Sequence, residues 1–193
     1  MPTAASPRRR ADAERNIARI VSAARQSLSG DPNAGVDDIA KAAGVGRMTL
    51  YGHFRTRAEL VEAALVEALR AGEEALSAVD LTGDAKGALA RLLDSSWSIV
   101  AESTALLTAA EAALPAGRVR DLHAAPAQRI EELVRRGQDE GAFRTDLPIA
   151  WLVNVVHYVL HGAAEEHRAG RLRAAEAAHA VTETVQSALA ART

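Results

Sequence analysis

Residues 36–54 have the sequence VDDIAKAAGVGRMTLYGHF, which divides into two short helical patterns around a glycine-containing turn. The first pattern, residues 36–43, has two acidic residues in its first turn, where the helix dipole favours negative charge. Gly44 ends this helix, because glycine readily adopts the backbone conformation that a helix end requires. Val45-Gly46 form the turn, and the second helix covers residues 47–54. The pattern predicts a helix-turn-helix, whose second helix can enter the major groove of DNA.

Helical geometry places the side chains of the second helix on two sides. Val45, Leu50 and Phe54 are predicted to face the core. The opposite face and its flank carry the candidate DNA contacts, which are Arg47, Met48, Thr49, Tyr51 and His53. On spacing alone, the alternative is a small helical subdomain with a solvated basic face.

These candidates differ in the contacts that their chemistry allows. Arg47 can donate two hydrogen bonds to guanine, and Met48 can pack on a thymine methyl group. Thr49, Tyr51 and His53 are better suited to phosphates, which position a protein on DNA without reading its sequence. Arg57 is a further candidate phosphate contact, in the first turn of a helix whose free N–H groups favour an anion. That helix begins near Thr56, a predicted N-cap.

The rest of the chain also has helical periodicity, and no useful stretch alternates with period two. We predict an all-α fold of about nine helices. Beyond the two short helices above and a first helix over residues 11–28, the predicted helices cover residues 56–76, 85–102, 104–114, 118–137, 148–168 and 172–191. The helix over 118–137 contains Pro126, where a break is expected.

Composition excludes several classes of protein. Of 193 residues, 48% are hydrophobic, 25% are charged and 3% are aromatic, which favours a globular helical protein. The absence of cysteine excludes disulfides, thiolate zinc sites and cysteine nucleophiles. Uninterrupted apolar stretches fall far short of the roughly 20 residues that span a bilayer, and the first residues lack a signal-peptide pattern. A soluble cytoplasmic protein without a membrane partner is expected.

Charge is unevenly distributed along the chain. Residues 1–57 contain ten bases and five acids, which leaves 13 bases and 20 acids for residues 58–193. A basic head on an acidic body predicts a polyanionic partner for the head alone. The cluster Arg8-Arg9-Arg10 lies in residues 1–10, which we expect to be a disordered basic arm. This arm would either track the DNA groove or add only salt-dependent attraction as a solvated tail.

Residues 36–54, together with Arg55-Thr56-Arg57-Ala58-Glu59-Leu60, resemble the N-terminal domain of the TetR family of transcriptional regulators. The similarity covers roughly residues 17–69. It implies a helix-turn-helix domain over residues 11–57, extending to about 70 through a connecting helix, and an effector-binding and dimerisation domain over residues 80–193. It also implies DNA contacts by the residues named above, with Arg57 in the position of the family's phosphate-binding lysine.

Two glycines depart from the family pattern. Gly46 stands where serine is common, so the second helix lacks a side-chain cap. Gly52 replaces a larger residue and costs about 1 kcal/mol of helix stability relative to alanine. Base recognition is therefore expected to depend mainly on Arg47 and Met48.

The resemblance further implies a homodimer formed by the last two helices. The helix over 148–168 is apolar on most sides, as expected for a helix buried against both its own core and a second subunit. The final helix carries a stripe of small and apolar residues that would allow a close approach between subunits. These residues are Ala177, Ala178, Val181, Val185, Ala188 and Leu189.

TetR-like proteins also enclose a pocket for an effector. The candidate lining residues are the large or polar residues on otherwise apolar helices: Trp97, His123, Phe143, Trp151, Asn154, Tyr158 and His161. Each has the alternative of a core or interface position. Trp97 is the preferred candidate because Ser95, Ser96 and Ser98 surround it. Such a lining would suit a flat, aromatic or amphipathic organic molecule.

Metal and enzyme chemistry are both disfavoured. His157, His161 and Glu165 have the i, i+4, i+8 spacing of metal ligands, but no ligand from another segment is evident, so we expect neither a metal nor a cofactor. No nucleophile elbow or phosphate-binding loop is present, so an enzyme is not expected. The predicted function is a homodimeric repressor that a small-molecule effector releases from a palindromic DNA operator. The alternative is an activator, or a DNA-binding protein that responds to a partner protein.

Overall fold

In the computed structural model, the backbone is described for residues 7–191 and side chains for residues 11–191. This part of the chain forms nine α-helices: α1 (Pro7–Gly30), α2 (Val36–Ala42), α3 (Arg47–His53), α4 (Arg57–Leu76), α5 (Ala85–Ala113), α6 (Arg118–Leu122), α7 (Ala124–Asp139), α8 (Ile149–Arg168) and α9 (Ala174–Leu189). No β-strand occurs within it, although Phe143 and Ala190 form an isolated antiparallel bridge. The all-α prediction is confirmed.

The number of helices agrees with the prediction, but two of the breaks between helices differ from it. Residues 85–102 and 104–114 form one continuous helix, α5, in which the hydroxyl of Thr104 donates to the carbonyl of Val100 and does not cap a new helix. Residues 118–137 form two helices, which meet at His123 and not at Pro126. Pro126 lies in the first turn of α7, where a missing N–H leaves no helical hydrogen bond unmade.

The first helix begins earlier than predicted. Pro7 opens α1, and the backbone at Arg8, Arg9 and Arg10 is helical, so the prediction of disorder is wrong for residues 7–10. Proline is suited to the first helical position, and arginine is a good helix former. The remainder of the predicted arm, residues 1–6, and the side chains of the three arginines lie outside the described residues.

The chain divides into two compact units. The first contains the chain up to Leu69 and Ala105–Val119, and the second contains Arg70–Thr104 and the chain from Arg120 onward. Residues 105–119 were expected in the C-terminal domain. Within the first unit, Arg118 Nε donates to Glu62 Oε1 at 2.9 Å, which ties the start of α6 to α4.

The core of the first unit holds the short helices in place. Ile20 and Leu28 of α1, Ile39 of α2 and Leu50 of α3 are all at most 1% exposed. The helix α2 contacts both α1 and α3. Burial of one apolar side chain from each short helix compensates for the marginal stability of seven-residue helices in isolation.

The second unit has its own core, built from α5, α7, α8 and α9. The helix α8 contacts both α7 and α9. The prediction that the α9 stripe faces a second subunit is wrong for Ala177, Val181, Val185 and Leu189, which are fully buried in this core. Their four-residue spacing gives the helix one apolar face, and the chain's own core covers that face.

Phe143 follows α7 and packs back onto it. Its side chain is 2% exposed, and its ring lies so close to Gly137 that a Cβ there would overlap it. The backbone N–H of Phe143 donates to the carbonyl of Gly137 at 2.9 Å. None of the described helices is long and apolar enough to cross a membrane.

Candidate functional site

The turn between α2 and α3 depends on one glycine and one arginine. Gly44 has a φ of 63°, in the left-handed region that disfavours residues with a Cβ. Arg19 of α1 donates from Nη2 to the carbonyl of Ala43 at 2.6 Å, and to that of Gly44 at 3.3 Å. These bonds satisfy carbonyl groups at the end of α2, so α1 positions the turn that precedes α3.

The helix α3 buries one side and exposes the other. Leu50 is buried, whereas Met48 is 83% exposed. Arg47 and Thr49 are also exposed, and Tyr51 and His53 are half-buried. The structure therefore brings the five candidate DNA contacts together on one short helix, with Arg47 and Met48 at its N-terminal end. This is the part of a helix-turn-helix that reaches base edges.

Arg47 already has two neighbours. Its Nη1 donates to Asp37 Oδ2 of α2 at 2.6 Å. Its guanidinium carbon also lies 5.4 Å from the centre of the Tyr51 ring, within the range of a cation–π contact. Both partners come from the same two short helices, so the first unit holds this side chain on the exposed side of α3.

Arg57 makes contacts that its sequence position did not suggest. The hydroxyl of Thr56 accepts a hydrogen bond from the N–H of Glu59 at 3.1 Å, as expected for the N-cap of α4. Arg57 Nη2 donates to the carbonyl of Pro32 at 2.9 Å and to that of Ala34 at 3.3 Å. Arg57 thus joins α4 to the loop before α2.

The candidate effector residues occupy different environments within the second unit. Trp97 and Phe143 are buried in the core, and the Trp97 ring is edge-on to His167 with centroids 6.0 Å apart. Trp151 and Tyr158 are 50% and 64% exposed on α8, where Asn154 is also exposed. The structure does not bring all seven together.

Two of the seven candidates do meet. The ring centroids of His123 and His161 lie 6.2 Å apart. His161 Nδ1 is buried and has no hydrogen-bond partner. Burial, reinforced by His123 and His157, lowers the pKa of His161 to about 4. Burial and the neighbouring His123 also lower the pKa of His157. Both shifts favour the neutral imidazole at His157 and at His161.

The spacing of His157, His161 and Glu165 does not produce a metal centre in the described part of the chain. No group of three or more His, Cys, Asp or Glu side chains there has an arrangement that could hold a metal ion. Glu165 is paired with Arg168 at 2.7 Å. The helical spacing alone therefore does not bring a third ligand to the two histidines.

Residues 20–64 match the family model described as bacterial regulatory proteins of the tetR family. The match covers the last part of α1, the whole of α2 and α3, and the first part of α4. The chain carries a TetR-family domain. This agrees with the resemblance in residues 36–60 and with the helix-turn-helix that the first unit forms.

Solved structures of regulators share the fold over nearly the whole chain. The TetR-like regulator LfrR from Mycobacterium smegmatis, in complex with proflavine, is 22% identical with a TM-score of 0.73, covering 91% of this chain and 97% of its own. A protein from Saccharomonospora viridis, assigned as a transcriptional regulator and bound to choline, is 21% identical with a TM-score of 0.69, covering 91% and 98%. No curated protein sequence matches this chain significantly.

Residues 20–64 thus belong to the tetR family of bacterial regulatory proteins, and the likeness to solved structures extends the shared fold over most of the chain. The sequence patterns do not single out two functional residues of the first unit. In the sequence Arg19 is one of the ten bases of residues 1–57, although its position beside the apolar stripe of α1 is a usable signal for its contact with the turn. Asp37 is a first-turn acid, and no local pattern indicates its contact with Arg47.

Proposed function

We propose that this protein is a homodimeric repressor that acts in the cytoplasm and is released from a palindromic operator by a small-molecule effector. The observation that carries the DNA-binding part is the exposure of Arg47 and Met48 at the start of α3, above a buried Leu50. Covering the exposed Met48 side chain with an apolar group is favourable, and a thymine methyl group is a suitable partner.

Selection of bound sequences from a random double-stranded DNA library, at stated salt, tests this function. Recovery of a palindrome with two half-sites would support a dimeric helix-turn-helix protein, because half-site symmetry mirrors protein symmetry. Recovery of no motif, with salt-sensitive binding only, would contradict operator recognition by the protein alone. The recovered operator then serves as the probe for compounds that release the protein.

Arg47→Ala should weaken operator binding by about 1–3 kcal/mol, or roughly 5- to 150-fold, because a bidentate contact to guanine is lost. The preference at one base position of each half-site should relax at the same time. The measurement is fluorescence anisotropy with the selected operator and with single-base variants of it.

Arg57→Ala removes the same charge at the start of α4 and is the comparison for Arg47→Ala. It should weaken binding to all sequences similarly and reduce the dependence on salt, since a phosphate contact carries no sequence information. An unchanged base preference in Arg47→Ala would show that the base-reading face is assigned wrongly. Arg57→Ala also removes the bonds to the loop at Pro32 and Ala34. Circular dichroism therefore checks that this variant keeps the helix content of the wild type.

The outward face of α8 supports the dimer. Trp151 and Tyr158 are exposed there, with ring centroids 6.4 Å apart. Asn154 and Gly162 lie on the same face at helical spacing, and a Cβ at Gly162 would meet nothing within 4 Å. Two exposed aromatic rings beside an exposed glycine are typical of a surface that a second helix covers. We propose that this face, and not the buried stripe of α9, forms much of the subunit interface.

Trp151→Glu should convert the dimer to a monomer at micromolar concentration, because a charge would be buried at the centre of the proposed interface. Analytical ultracentrifugation measures the change. The helix content should remain, since Trp151 is half exposed in the single chain. Trp151→Phe, which keeps an apolar ring, is the control and should remain dimeric. A dimer of unchanged stability in Trp151→Glu would place the interface elsewhere.

The proposal of an effector site is supported by the hydrogen-bonding chemistry of a histidine in the second unit. His161 has a buried nitrogen without a partner, His123 faces it, and both belong to the second unit. A hydroxyl or amine of an aromatic or amphipathic molecule would satisfy that nitrogen. Proflavine, bound in one of the two similar structures, is a flat aromatic amine, and choline, bound in the other, carries a hydroxyl. We propose His123, His161 and the buried Trp97 as the effector-contacting residues.

A further inference from the structure

A carboxylate lies directly beside the main candidate base-reading residue. Asp37 is in the first turn of α2, and its Oδ2 accepts the 2.6 Å hydrogen bond from Arg47 Nη1. Asp38 is in the same turn and complements the dipole of α2 equally well. The contact with Arg47 is therefore what distinguishes Asp37 from its neighbour, and a role in α2 stability alone does not account for it.

The ion pair is too exposed to matter much for folding. The side chains of Arg47 and Asp37 are 60% and 65% exposed, and such surface pairs contribute little to stability. Its effect is on the conformation of Arg47. A long arginine side chain loses rotamer freedom when it binds a base, and neighbours that already hold it reduce that cost. The Tyr51 ring, 5.4 Å from the guanidinium carbon, restricts it further.

The hydrogen bond leaves Arg47 competent to read a base. It uses one N–H of the five that a guanidinium carries, so two further donors remain for guanine O6 and N7. The carboxylate also has a second effect. Its negative charge, next to the DNA-facing helix, repels phosphates and opposes the use of Arg47 as a general phosphate contact.

We infer that Asp37 is a positioning residue that sets sequence specificity, by holding Arg47 in place for a base contact and disfavouring its contact with phosphates. This inference rests on the proposed DNA-binding function. Specificity is a difference between two affinities, and Asp37 acts on both of them. It lowers the affinity for arbitrary DNA while leaving the operator contact of Arg47 available.

The test compares Asp37→Asn with Asp38→Asn, which removes the same charge from the same helical turn. Each is titrated by fluorescence anisotropy against the selected operator and a scrambled duplex at one salt concentration. Both variants should bind the scrambled duplex more tightly. In Asp37→Asn alone, the ratio of operator affinity to scrambled affinity should fall by up to about fivefold, which is the upper limit expected for one exposed charge pair.

A double variant isolates the pathway through Arg47. The double variant Arg47→Ala/Asp37→Asn should have the same affinity ratio as Arg47→Ala alone, because no guanidinium is left for Asp37 to position. If the ratio of operator affinity to scrambled affinity in Asp37→Asn equals or exceeds that of the wild type, the inference is overturned and the proposed function still stands. Absence of any preferred sequence for the wild-type protein would overturn both, and that result appears before any variant is made.

Discussion

Phe143→Ala is expected to lower the free energy of unfolding by about 3–5 kcal/mol, the range for removing a fully buried aromatic side chain. The ring is 2% exposed and covers Gly137, a position that has no side chain of its own to fill the space. The segment is also held by the bridge to Ala190, so it cannot easily move to close the cavity. Urea unfolding followed by circular dichroism, at fixed protein concentration, measures the loss.

Phe143→Leu is the matched control, because it retains most of the apolar volume and should cost less than about 1.5 kcal/mol. The comparison also separates a core role from an effector role. If Phe143 were chiefly a ligand-contacting residue, Phe143→Ala would leave the unfolding transition in place and change only the response to effector. That outcome would contradict the packing of Phe143 on Gly137 as the main purpose of the residue.

Acidification from pH 7 to pH 4 should destabilise the protein, with His161 contributing about 3 kcal/mol of the loss. The pKa of His161 is lowered from 6.5 to about 4 in the folded chain, with burial the first cause and His123 and His157 the second. Between these two values the unfolded chain binds a proton that the folded chain does not. The contribution of His161 to the free energy of unfolding is therefore fully present above pH 6.5 and is lost as the pH falls through this window.

His161→Gln tests this assignment by removing the titrating group while keeping a polar side chain. The loss of unfolding free energy between pH 7 and pH 4 should be smaller in this variant by about 2–3 kcal/mol. Gln26→Asn, which exchanges one neutral amide for another at an exposed position on α1, is the control and should show the wild-type pH dependence. Equal pH dependence in His161→Gln and the wild type would mean that His161 is not protected from protonation in the folded state.

The first unit was largely predictable from local sequence. Helix ends at Gly44 and Thr56, the apolar positions Ile39 and Leu50, and the exposed face from Arg47 to His53 all follow from residue spacing. Each short element there carries one clear signal, and all the signals agree with one arrangement. The all-α class follows similarly, because 3.6-residue periodicity recurs along the chain and two-residue alternation does not.

Local sequence was misleading wherever a residue had two acceptable environments. Thr104 resembles a helix cap, but its hydroxyl can bond to Val100 inside a continuous helix. The small residues of α9 suit a subunit contact and an internal core equally well, and the chain's own core buries four of them. Phe143 and Tyr158 were both candidate pocket residues, yet one is buried on Gly137 and the other is exposed on α8.

The contacts that matter most for the DNA-facing surface join residues that are distant in sequence. Arg19 reaches the turn at Ala43, Asp37 meets Arg47, and Arg57 reaches the loop at Pro32. Periodicity records only the position of Arg47 around its own helix. Which charged partner meets it depends on how α2 packs against α3, and that packing is a property of the folded unit.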